Sequence, residues 1–99
     1  MNKVHIEIGG LVFTRVAYDT EEDVLYLHRG EPQETEPQET PEGHIIRYAL
    51  GRKEIVGLTV VNVHQFIAHL GYVPITLPQV CIVPQKYIEQ LIRAGDGEA

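Results

Sequence analysis

The chain has one cysteine, Cys81, in 99 residues. A lone thiol excludes a disulfide framework and a thiolate metal cluster, so the fold must rest on its own core. Basic residues are sparse as well: eight lysines and arginines, scattered from Lys3 to Arg93. Binding to a phosphate backbone draws on clustered cations, and this scatter argues against a nucleic-acid partner. Long apolar runs are missing, and no stretch approaches the roughly 20 residues that span a bilayer. The opening MNKVHIEIGG alternates polar and apolar residues, unlike the apolar core of a signal peptide. A soluble, cytoplasmic protein is the expectation. Also missing are a Gly-rich phosphate loop, a G-x-S-x-G elbow and a paired C-x-x-C. No cofactor is implied, and the balance falls against an enzyme.

Hydrophobic residues make up 43% of the chain, enough for one folded domain over residues 1–99. The net charge of −6 is concentrated. Five glutamates lie in 31–42, EPQETEPQETPE, and without them the charge falls to −1. This segment is a tandem repeat of EPQET. A linker would need a folded unit before it, and residues 1–29 are too few to hold a core. Pro32, Pro37 and Pro41 each remove a ladder donor, which opposes a central strand. The expectation is a mobile acidic hairpin tip, lengthened by duplication. It is either a tolerated loop or an acidic ligand, through Glu34, Glu36 and Glu39, for a basic partner.

Alternation marks strands at 4–8, 11–18, 24–28, 44–50 and 54–61. Gly9-Gly10 between the first two is a hairpin signal. Asn62 and Gln65 have the spacing of a capping box for a helix that Gly71 stops. Residues 73–77 suggest a short edge strand or an extended connection. Pro84 opens a second helix whose stripe is Tyr87, Ile88, Leu91 and Ile92, with Glu89 and Arg93 as an i,i+4 pair. Gly95 ends it, and 96–99 form a frayed tail. The fold class is α+β: an antiparallel meander of four to five strands, with two short C-terminal helices packed on one face.

The stretch Tyr18-Asp-Thr-Glu-Glu-Asp-Val-Leu-Tyr-Leu27 resembles the signature of a small prokaryotic family, domain of unknown function 2283. Gly43–Tyr48 and the Val56-Gly57-Leu58 strand follow in the family's order, so the resemblance covers about 16–61. Arg47, Tyr48 and the turn Gly51-Arg52-Lys53 depart from it, because the family often carries acidic residues there. The resemblance implies a sheet-rich α+β fold and no established activity. Some members are similar to small partners encoded beside toxin-like proteins, which implies an antitoxin-like or accessory role.

Asp19 and Asp23 are the first candidates for chemistry, as a cation site or an acid/base pair. Either can instead cap its own turn. His5, His28 and His44 sit on separate strands and either meet on one sheet face or lie at its rim. His64 and His69 are five apart and diverge on a helix. Cys81 reads as a buried small hydrophobe. Tyr18, Tyr26 and Tyr48 read as cross-strand neighbours in core and rim. The first function expected is a non-enzymatic protein-interaction module. It would bind a protein partner, or a second copy through a strand edge. The alternatives are a small-ligand sensor with a pocket between sheet and helices, and a metal-dependent enzyme using Asp19, Asp23 and a sheet histidine. The binding candidates are therefore Glu34, Glu36, Glu39, Asp19, Asp23, Tyr26 and His28.

Overall fold

Gly9 and Gly10 carry φ of 59° and 81°, the left-handed backbone that a two-residue hairpin requires. In the computed structural model, which describes residues 2–96, they join β1 (Asn2–Ile8) to β2 (Leu11–Asp19). A polar turn follows, and β3 (Val24–His28) pairs antiparallel with β2. The sheet continues with β4 (Thr35–Glu39), β5 (Ile45–Ala49) and β6 (Ile55–Val60). Its spatial order is β1-β2-β3-β6-β5-β4, antiparallel throughout.

That order modifies the expected meander. The chain leaves β3 at the centre, crosses to the far edge as β4, and returns through β5 to place β6 beside β3. This is a Greek-key step inside a meander-like sheet. Alternation reveals that a segment is a strand but not which neighbour it takes.

The acidic segment is also more structured than a mobile tip. Its middle is the edge strand β4, paired with β5 from Thr35↔Ala49 to Glu39↔Ile45. Pro37 is tolerated because β4 has a neighbour on one side only. The two EPQET copies fold differently. The first lies mostly in the connection, and the second contributes most of β4 and ends at the buried Thr40.

Helix α1 (Val63–Leu70) ends at Gly71, whose φ of 79° allows its N–H to reach the Ile67 carbonyl. Beyond it, β7 (Tyr72–Thr76) and β8 (Val80–Pro84) form a separate two-stranded sheet. The edge strand expected near 73–77 is β7, whereas β8 is unforeseen. Pro84 closes β8, and α2 (Gln85–Asp96) starts one residue later. Gly95 lies inside α2 rather than after it. Glu89 accepts a hydrogen bond from Gln85 at 3.1 Å. The expected tail lies outside the described residues beyond Asp96.

One face of the large sheet is buried. Val16, Leu25, Leu27, Leu58 and Val60 meet Ile88 and Leu91 of α2 and Val73, Ile75 and Val83 of the small sheet in one core. Each such side chain contributes about 1.5–3 kcal/mol when fully buried. Tyr87 fixes α2 to β1: its hydroxyl donates to the Glu7 carbonyl and accepts from the Glu7 N–H, each at 3.1 Å. No described helix is long and apolar enough to cross a membrane.

Candidate functional site

The other face of the sheet carries the site. Antiparallel register sets its side chains in rows across the strands. Arg15 opposes His28, His28 opposes Gly57, Gly57 opposes Arg47, and Arg47 opposes Pro37. A second row runs Ala17, Tyr26, Thr59, Ile45 and Glu39. Gly57, at the middle of the first row, has no side chain, and its neighbours in the row close over it. A Cβ at Gly57 would lie 3.2 Å from Arg47 Cβ and 3.5 Å from His28 Nδ1. The Arg47 stem and the His28 ring therefore cover the glycine and are drawn together.

The first EPQET copy walls a depression beside Arg47 and His28. Gly30 N–H donates to Thr14 Oγ1 at 2.9 Å, and Arg15 Nε donates to the Gly30 carbonyl at 3.1 Å. The Arg15 guanidinium also meets Glu31 Oε2 at 2.6 Å. His28 Nε2 lies 3.0 Å from the Glu31 carbonyl, which can only accept, so Nε2 carries the proton. The result is a cavity of about 260 Å³, with Tyr26 and Arg47 on its wall and Pro32 and Gln33 on its rim. Among the described residues, no hydrogen bond or ion pair reaches the Arg47 guanidinium or the Tyr26 hydroxyl. Arg47 is half-buried and Tyr26 is 36% exposed. A half-buried guanidinium without a partner, lining the same cavity as an aromatic ring, is suited to a carboxylate with an apolar neighbour.

The other candidates are dispersed. Asp19 Oδ1 accepts from the Glu21 and Glu22 N–H groups at 3.0 and 3.1 Å, so it caps its turn. Asp23 turns elsewhere. Its Oδ1 accepts from the Tyr18 hydroxyl at 2.6 Å and meets His64 Nδ1 at 2.7 Å, while Oδ2 accepts from the His64 N–H at 2.8 Å. Burial pushes the Asp23 carboxyl up, and the bonds from Tyr18 and His64 outweigh it, leaving it below its ordinary value. Tyr18 is held well above its own by burial and by the Asp23 carboxylate. Asp23 thus does the capping expected of Asn62, which has a φ of 52° and makes no side-chain cap bond. The Tyr18–Asp23–His64 cluster has the parts of a proton relay, but its bonds are spent on seating α1 against the β2–β3 turn. Asp19 and Asp23 do not converge on one point.

The histidines also part. His28 faces the depression, His5 lies in the open beside Glu7, and His44 is fully buried. Among the described residues no group of three or more His, Cys, Asp or Glu could hold a metal ion. Tyr18 and Tyr26 occupy opposite faces of the sheet, opposite Leu25 and Thr59 respectively. Cys81 is half-buried rather than buried.

The acidic segment does not offer one acidic surface. Glu31 is taken by Arg15, and Glu36 Oε1 accepts the Gly51 N–H at 3.0 Å. Glu42 accepts from the Thr76 N–H at 3.1 Å and hydroxyl at 2.6 Å. Burial raises the Glu42 carboxyl, and the Thr76 bonds outweigh it, so it sits below its ordinary range. Glu34 precedes β4, while Glu36 and Glu39 lie three apart on it, so period-two alternation sends them to opposite faces.

Sequence reading found Tyr26 and His28 but missed Arg15, Arg47 and Gly57. Their convergence depends on strand order, though the glycine within an apolar strand was the available signal. Comparison with protein-family models, curated proteins and solved structures yields no match.

Proposed function

We propose that this protein is a non-enzymatic interaction module, accessory to a protein partner, and that its uncovered sheet face receives a short segment of that partner. The segment pairs a carboxylate with an apolar side chain. The observation that carries this reading is Arg47, half-buried at the depression with no internal partner among the described residues. The cavity of about 260 Å³ is smaller than the roughly 300–1,000 Å³ of enclosed small-molecule sites, which favours one or two peptide side chains over a whole ligand. Tyr26 and Pro32 supply apolar surface, and Arg47 supplies the charge.

The test is fluorescence anisotropy with a labelled peptide of alternating glutamate and leucine. A hydrogen-bonded charged group contributes about 1.5–3 kcal/mol, so Arg47→Gln is expected to weaken binding at least about tenfold. Replacing Glu34, Glu36 and Glu39 together by glutamine is expected to leave affinity the same or slightly improved. Equal binding by wild type and Arg47→Gln would remove the reading.

A further inference from the structure

We propose that β8 is a self-association edge, through which a second copy of this chain adds antiparallel to form a continuous four-stranded sheet. The surface is separate from the depression that holds Arg47.

Backbone direction along the small sheet identifies the open edge. Val73↔Val83 and Ile75↔Cys81 oppose one another across β7 and β8. Pro74 has no N–H, so it and its neighbours two residues away, Tyr72 and Thr76, turn their backbone polar groups away from β8. Those of β7 are met from inside the molecule. The Pro74 carbonyl accepts from His44 Nε2 at 3.0 Å, and the Thr76 N–H donates to Glu42. By the same alternation Val80 and Ile82 turn theirs outward from β8. Among the described residues no backbone hydrogen bond meets them. Their side chains are exposed too, at 62% and 55%.

The other two edges of the fold are guarded. β4 carries Glu36, Pro37 and Glu39, and pairing it with a copy would bring glutamates together. β1 is broken by a bulge between Lys3 and Ile6 and carries Lys3, His5 and Glu7. Residues 77–85, LPQVCIVPQ, contain no charge at all. In a chain of net charge −6, an uncharged β-branched edge accepts a copy of itself without bringing like charges together.

The edge also specifies its register. Pro78 and Pro84 donate no N–H, and Cys81 lies midway between them. Centring a two-fold axis on Cys81 sets Val80 opposite Ile82 of the second copy, as a hydrogen-bonded pair, and the reverse. Both outward N–H groups and both outward carbonyls of each β8 are then satisfied. Cys81 meets Cys81 of the second copy as a non-hydrogen-bonded pair, with Cα atoms about 4.5 Å apart. That spacing lies within the range a disulfide accepts.

Sedimentation velocity over a concentration series tests this, alongside oxidation by diamide. In that oxidation two Cys81 thiolates form one S–S bond, and diamide takes up two electrons and two protons to become the hydrazine. The expected result is a concentration-dependent rise from 11.2 kDa toward twice that mass, with a disulfide-linked dimer on non-reducing gels. Ile82→Lys, checked for native circular dichroism, is expected to stay monomeric and lose the cross-link. Cys81→Ser is expected to lose the cross-link and keep the dimer. A monomer at every concentration overturns the proposal, as does a dimer that Ile82→Lys leaves intact. A dimer lost in Ile82→Lys but never cross-linked in wild type overturns the register.

Discussion

Replacing His44 by alanine is expected to destabilise the protein by about 3–5 kcal/mol, because a buried ring is removed and its two partners lose their bonds. The ring is fully buried and packs on Phe66, with centroids 5.3 Å apart. Its Nε2 donates to the Pro74 carbonyl, and its Nδ1 accepts the Val61 N–H at 3.2 Å. One side chain therefore ties the end of β6 to the edge of β7 that faces away from β8. For a domain of this size, thermal denaturation should register a fall of about 12 °C or more. His44→Phe restores the ring volume but leaves both backbone groups unpaired, so it should fall between wild type and alanine.

His44 also gives the stability a pH dependence. Burial pushes its pKa below the ordinary value, outweighing the Pro74 carbonyl and the Glu42 carboxylate, which push upward. The folded state thus holds the neutral ring, while the unfolded chain takes up a proton near about pH 6.5. The contribution is complete above that pH and is lost as pH falls toward the folded pKa. Between the two values, stability should drop by up to about 1.4 kcal/mol per pH unit. Asp23 and Glu42 are depressed carboxylates, and their contributions are lost only at lower pH, beneath about 4.5. Urea titrations at several pH values should show the slope beginning near 6.5 in wild type. In His44→Phe that upper part should be flat, leaving only the carboxylate loss. A wild-type curve flat between pH 5 and 7 would contradict a buried neutral His44.

Gly95→Val is the second large effect expected, a loss of about 3 kcal/mol from overpacking. A Cβ at Gly95 would lie 2.7 Å from the Tyr18 nitrogen and 2.8 Å from the Ala17 carbonyl carbon. Both are backbone atoms of β2, so no rotamer change relieves the contact, and α2 must lift. Alanine decides the sign at smaller scale. It gains about 0.5–1 kcal/mol of helix propensity over glycine, against roughly 1–3 kcal/mol of crowding. A net loss is expected, with faster amide exchange in the last turn of α2. A stabilised Gly95→Ala would mean that α2 does not sit this close to β2.

Much of the fold was legible where local chemistry is decisive. Gly9-Gly10 has only a hairpin to make, and Gly71 only a helix to end. What was not legible depends on partners far along the chain. The two EPQET copies have the same local preferences, yet Glu31 reaches back to Arg15 while Thr40 accepts the N–H of His44. Context, not propensity, separates them. The capping of α1 follows the same logic, because Asp23 and His64 lie 41 residues apart. Asn62 had the right residue type but a left-handed backbone. β8 was hidden because its inward residues, Cys81 and Val83, resemble those of any short apolar connection. The depression was half legible. Tyr26 belongs to the quoted signature and His28 follows it directly on β3, whereas Arg47 and Gly57 join them only because β6 and β5 return to the centre of the sheet.

The binding face is tested most directly by backbone amide NMR during titration with the glutamate–leucine peptide. Shift changes are expected to concentrate at Arg15, Tyr26, His28, Arg47, Gly57 and Thr59, and to disappear in Arg47→Gln. Changes confined to the outer edge of β4 or to α1, or a spectrum that the peptide leaves untouched, would contradict it.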